Sequence, residues 1–159
     1  VIKVVPRELT EEERKDREIQ EELDAVATAE KERLRLWDES LLMRYSSVED
    51  IESARSRALS SLLINVSILK SNTRSLKQQV ENYQSQAADI ERRGGQVDAQ
   101  RLTAIKDLQN EIEATERSIV DRRAEMKVVE EDYKMDIDRF EQLLELVEMR
   151  RSLSANDKN

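Results

Sequence analysis

The chain contains no histidine and no cysteine. The first absence removes the commonest general base near neutral pH, and with it the Ser–His and Cys–His nucleophile systems. The second removes disulfides, cysteine-based metal sites and thiol redox chemistry. Glycine occurs twice, proline once, and aromatic residues make up only 3%. Layered α/β and all-β domains need many reversals, and reversals are built from Gly, Pro and Asn. So few breakers allow the chain one or two sharp turns. Unbroken apolar runs are no longer than Leu62–Leu63–Ile64, far short of the ~20 residues that cross a bilayer. This excludes membrane insertion by a helix of this chain. No signal-peptide pattern occurs, but the chain starts at Val1 rather than Met, which leaves a preceding, processed segment open. A formal net charge of −8 and scattered basic pairs (Arg92–Arg93, Arg122–Arg123, Arg150–Arg151) argue against nucleic acid, whose phosphates need clustered cations.

What is present is charge with helical spacing. Charged residues are 39% of 159, and Glu, Lys, Arg, Leu and Ala at this density point to long helices or a coiled coil. Disorder is the competing outcome for so charged a chain, and the regular apolar spacing after residue 48 argues against it. Residues 1–9 read as a linker or the remnant of a preceding domain. Within them Val1–Val5 is a β-leaning segment ended by Pro6, either a leftover strand or an add-on to a neighbour. Thr10-Glu11-Glu12-Glu13 is a capping box that starts a charged helix over 10–45. Its stripe is Ile19, Leu23, Val26, then Leu34, Trp37 and Leu41. Ser46 with Glu49 predicts a second capping box, and so a kink or a turn near Tyr45.

From there the spacing predicts an antiparallel coiled-coil hairpin over 46–153, with its tip at 93–97 around Gly94 and Gly95, and a disordered tail over 154–159. Each arm of about 45 residues spans ~65–70 Å. The first arm carries Leu59, Val66, Thr73, Val80 and Ala87 at a and Leu62, Leu69, Leu76, Tyr83 and Ile90 at d. The second arm, after Asp98 as a possible N-cap, runs to about Ser152. It carries Ile105, Ile112, Ile119, Met126, Tyr133, Phe140 and Val147 at a, and Leu108, Thr115, Arg122, Val129, Asp136, Leu143 and Arg150 at d. Closure at the tip sets Tyr83 against Ile105, Val80 against Leu108, Leu76 against Ile112 and Leu69 against Ile119. The same register opposes Thr73 and Thr115, the one threonine in each central seam. Slipping by a heptad would set each against an aliphatic residue, so the pair reads as register-setting. Farther out the frame would face Glu52 with Asp136. The apolar residues there shift by one position, to Ile51 against Ile137 and Val48 against Phe140, with Arg55 beside Tyr133 as a cation–π or stem-packing contact. The first helix either continues along the second arm or folds back over the hairpin.

Leu63, Ile64 and Ile68 lie off the seam. With Trp37 and Leu41 they form the candidate interaction surface, to be covered by the first helix or by another chain. A two-helix seam is thin for a monomer, so a protein partner or a second copy, most simply a homodimer, is expected. Other motifs read as coincidence. Asp132, Asp136 and Asp138 sit inside a helix without the glycine of a calcium loop. Gly94-Gly95 is not followed by Gly-Lys-Ser/Thr. Asn65-Val66-Ser67 places its central residue in the seam. No catalytic, cofactor or metal site is predicted, and the expected cofactor set is empty.

The run Leu41-Leu42-Met43-Arg44-Tyr45-Ser46-Ser47-Val48-Glu49-Asp50-Ile51-Glu52-Ser53-Ala54-Arg55 resembles the coiled-coil tail of a group of uncharacterised proteobacterial envelope proteins. These carry a signal peptide and a small β-domain of unknown function before an acidic helical tail. Val1–Thr10 is similar to their domain–tail join. The resemblance covers most of the chain, and Tyr-Ser-Ser-Val-Glu-Asp-Ile-Glu is its distinctive part. It implies a periplasmic or envelope-associated setting and a missing N-terminal domain, and it carries no functional residues. The expectation is an all-α, non-enzymatic structural or protein-interaction module. The alternative is a chaperone-like or regulatory clamp that grips a client between Leu34–Met43 and Tyr133–Val147 at the open end.

Overall fold

A computed structural model describes residues 7–157; the Val1–Val5 segment lies outside the described residues. The described residues form three helices and no strand: α1 (Glu11–Arg44), α2 (Val48–Arg92) and α3 (Ala99–Asn156). They divide into two units. One is α2 with α3 as far as Asp138, and the other is α1 with α3 from Arg139 onward. The fold is thus the all-α helical hairpin with an additional N-terminal helix. Two expected boundaries move. α3 runs to Asn156 rather than ending near Ser152, so 154–156 are helical and not part of a disordered tail. The α2 N-cap is Ser47, whose hydroxyl accepts from the Asp50 N–H at 3.2 Å, rather than Ser46 with Glu49.

The α2–α3 unit is held by one seam. Along α2 the positions withdrawn from water are Val48, Ile51, Ala54, Arg55, Ala58, Leu59, Leu62, Val66, Leu69, Thr73, Leu76, Val80, Tyr83, Ala87 and Ile90. From Leu62 on these are the a and d positions of an unbroken heptad. Ile51 is fully buried and Glu52 exposed, as the one-position shift at the open end requires. Along α3 the matching set runs from Ile105 through Ile119 to Tyr133. Arg122 departs from it. It occupies a seam position by number but is exposed and paired with Glu125. A guanidinium cannot be dried in a two-helix seam, so it swings to the rim. Among the described residues the cation over a ring is Arg44 above Tyr45 at 5.3 Å rather than Arg55 above Tyr133; Arg55 and Tyr133 are both half-buried.

Two polar contacts report the register. Arg101 Nε donates to Gln86 Oε1 at 3.3 Å, just tipward of the Tyr83 and Ile105 layer. Lys77 pairs with Glu116 at 3.1 Å. Both side chains of that pair lean toward their own helix N-termini, which in an antiparallel pair brings them together. The two threonines are satisfied locally. Thr73 is 7% exposed, yet its hydroxyl donates to the Leu69 carbonyl at 2.9 Å. The Thr115 hydroxyl likewise donates to the Glu111 carbonyl at 2.8 Å. Each is satisfied within its own helix and does not need the other. They keep the layer narrow but supply no hydrogen bond between helices.

The tip closes by a Schellman arrangement. The Gly95 N–H reaches the Ile90 carbonyl and the Gly94 N–H the Glu91 carbonyl, both at 3.0 Å. Gly94 has φ +80°, which side-chain-bearing residues avoid. A Cβ on Gly95 would lie 3.1 Å from Ile90 Cγ2 and 3.3 Å from its carbonyl oxygen. Asp98 then caps α3, accepting from the Arg101 N–H at 3.2 Å. The Arg101 guanidinium beside it holds the Asp98 carboxyl below its ordinary range. Gly94→Ala should destabilise the chain by about 1–2 kcal/mol, read as a lower urea midpoint at unchanged slope. Gly94→Asn should cost less than half of that, because asparagine tolerates the left-handed region.

Candidate interaction surface

In the unit formed by α1 and the end of α3, packing is confined to a short stretch. Leu41 is fully buried, Phe140 is 1% exposed and Leu143 9%. Leu34 and Trp37 are half-buried. At this contact Arg139 grips Asp38 through two parallel bonds, Nε to Oδ1 at 2.6 Å and Nη2 to Oδ2 at 2.8 Å. The two side chains are 19% and 22% exposed. Partial withdrawal from water strengthens such a bidentate pair. The Asp38 carboxylate raises Arg139 above its ordinary value and keeps the guanidinium charged.

On either side of the clamp the helices are bare. Every residue of α1 from Glu11 to Arg33 is exposed, including Ile19 (56%), Leu23 (58%) and Val26 (62%). That segment is helical for local reasons. Thr10 and Glu13 complete the capping box, and Arg17–Glu21, Arg33–Glu30, Arg35–Glu32 and Arg35–Glu39 pair along the surface. Each such pair adds a few tenths of a kcal/mol, ~0.2–0.5. Beyond Leu143 on α3, Val147 and Arg150 are exposed and line an open hollow with Asp38 and Leu42 of α1.

The five residues expected to form one surface differ in exposure. Leu41 is buried and Trp37 half-buried. Leu63, Ile64 and Ile68 are 56%, 60% and 53% exposed on α2. Ile64 and Ile68, four residues apart, share the side of α2 away from the seam, and Leu63 flanks the seam beside them. The surroundings of these three residues are segregated in charge. From Ser53 through Val80 there is no acidic residue, while Arg55, Arg57, Lys70, Arg74 and Lys77 all fall there. A total net charge of −8 conceals this segregation; a running sum along the chain exposes it. Ser60, Ser61, Ser67, Ser71 and Ser75 fill the same outer side, so little bulk surrounds the isoleucines.

Asp132, Asp136 and Asp138 lie within α3, and Asn65 is an exposed mid-helix residue of α2. Among the described residues no group of three or more carboxylates is arranged to hold a metal ion. No helix of the described residues is long and apolar enough to cross a membrane.

Removing one partner of the clamp should strand a half-buried charge. Asp38→Ala should cost about 2 kcal/mol and speed amide hydrogen exchange over Leu34–Arg44, leaving exchange at Thr73–Val80 unchanged. A double-mutant cycle with Arg139→Ala should return a coupling of about 1–3 kcal/mol. Compared with known proteins, the chain matches no family model, no curated protein and no solved structure.

Proposed function

We propose that this chain is a non-enzymatic structural and protein-interaction module, a coiled-coil hairpin that presents a protein-binding face on α2. The observation that carries this reading is the exposed patch Leu63–Ile64–Ile68, bordered by cations and left over after the seam is filled. Contiguous exposed apolar side chains on a soluble helix mark contact surfaces. The seam needs only one side of α2, so the other is free to bind without disturbing the hairpin. A setting in the bacterial envelope follows from the resemblance of the Tyr45–Glu52 segment alone. No residue is assigned to catalysis, in keeping with a chain that lacks histidine and cysteine.

A clamp for client proteins is a second reading. It draws on Leu42 (52% exposed), Met43 (85%), Leu146 (49%) and Val147 (45%), which remain exposed where α1 meets the end of α3. Leu41, Phe140 and Leu143 are already consumed by folding there, which leaves this surface smaller than the sequence suggested. Light scattering of an aggregating model client separates the two readings: the clamp requires suppression, the module none.

The test of the module is photo-crosslinking from single positions. A photoreactive residue replacing Ile64 in the full chain, irradiated in a bacterial periplasmic extract, should yield discrete adducts. The same residue replacing Gln78 should yield none. Identical patterns from both positions would sink the proposal.

A further inference from the structure

We infer that the α2 face is filled by α1 of a second copy of this chain, which specifies the partner within the interaction reading above. Two exposed helical surfaces of the molecule are complementary. On α2, the apolar centre Leu63, Ile64 and Ile68 is flanked by Arg57 on one side and Lys70 and Arg74 on the other. On α1, the apolar centre Ile19, Leu23 and Val26 is flanked by Asp16 on one side and Glu30 on the other, with Glu18 and Glu22 beside it. Asp16, Ile19, Leu23, Val26 and Glu30 follow one another at alternating spacings of three and four, so they lie on a single stripe. Between Glu11 and Arg33 there are ten acidic and five basic residues, a net of −5, and between Ser53 and Val80 five basic and no acidic ones, a net of +5. The two charged borders are also of similar length. Asp16 to Glu30 covers about 21 Å and Arg57 to Arg74 about 26 Å at the helical rise.

Both surfaces are exposed in the single chain, so each is available to a second copy. A two-fold arrangement uses both surfaces of both copies: α1 of each docks on α2 of the other, and the interface closes on itself. The serines that border the isoleucines admit close approach of a helix. The apolar centres supply the burial and the opposite borders supply orientation and steering. The helical state of the bare Glu11–Arg33 segment fits the same role, since a pre-formed helix loses little conformational entropy on docking.

The experiment is sedimentation equilibrium of the full chain at micromolar concentration, with helicity followed by circular dichroism. The native chain should sediment at twice its 18.6 kDa, and its dissociation constant should rise with salt, because screening shortens the reach of the charges to about 10 Å at 0.1 M. Ile64→Glu with Ile68→Glu should weaken association at least about tenfold without loss of helicity. A chain carrying Arg57→Glu, Lys70→Glu and Arg74→Glu should be monomeric, as should one carrying Asp16→Lys, Glu18→Lys and Glu22→Lys. Mixing these two reversed chains should restore a dimer, because each then meets its opposite. Four results would overturn the inference: a native chain that is monomeric; a dimer indifferent to the Ile64 and Ile68 changes; a mixture that stays monomeric; and crosslinks from position 64 to α1 of the same chain. A monomer that still gives discrete heterologous adducts from position 64 refutes the self-partner and leaves the interaction module standing. A monomer without adducts refutes both.

Discussion

Everything in the α2–α3 unit depends on a contact one side chain deep. Two helices that meet along a single seam can bury only their a and d positions, and each buried position withdraws only part of its surface. Val66, Thr73, Leu76 and Val80 on α2 and Ile119 on α3 carry the densest part. A shift of either helix by one residue would rotate this stripe out of contact. The Schellman turn at Gly94 and Gly95 is therefore more than a connection. It sets where α3 begins relative to the end of α2, and the layers that follow inherit that offset. Lys77–Glu116 and Arg101–Gln86 then add polar contacts that fit this one offset.

The unit containing α1 is built on a different balance. Its buried set is short (Leu41, Phe140 and Leu143), and a half-buried ion pair stands next to it. Desolvating Arg139 and Asp38 is unfavourable, and the two parallel hydrogen bonds offset it only if both groups hold one geometry. Leu41 and Phe140 exclude the water that would otherwise compete. Away from this point α1 gains nothing from packing. Its helicity rests on the capping box and on surface pairs such as Arg35 between Glu32 and Glu39. The Arg35 guanidinium lowers the Glu32 carboxyl, but at a fully exposed site such pairing is a weak restraint.

Local signals in the sequence translated well into structure, and signals that depend on a distant partner did not. The limits of α1 and the end of α2 follow from a capping box and a glycine pair, each readable within a few residues. The seam follows from a repeat sustained over many turns. The one-position shift that buries Ile51 and frees Glu52 was visible because the strict repeat would have opposed two carboxylates. The threonines lie at the seam positions that the repeat assigns them, and each hydroxyl has an acceptor one turn back, so burial does not oblige it to find a partner across the seam. Arg122, Val147 and Arg150 were placed in the seam by extending the repeat past the residues able to be dried. Leu41 was assigned to an open surface because Phe140 and Leu143, which are buried with it, lie about a hundred residues away in the chain.

The acid-free stretch of α2 is the feature least explained by the fold itself. In a chain with 35 acidic residues in 159, their exclusion from Ser53–Val80 could have served the hairpin, with α3 supplying the opposite charge. Part of that role is visible: Lys77 pairs with Glu116 on α3, while Arg122 of α3 pairs with Glu125 on its own helix. Arg57, Lys70 and Arg74 lie off the a and d positions that build the seam, so the hairpin does not depend on their charge. A helix that only had to stay soluble would mix both signs, because mixed charges pair at i and i+4 and same-sign neighbours repel. Concentrating one sign beside an exposed apolar patch gives up that local gain. The arrangement is intelligible when an acidic, apolar-centred helix covers it, and the bare half of α1 has that composition.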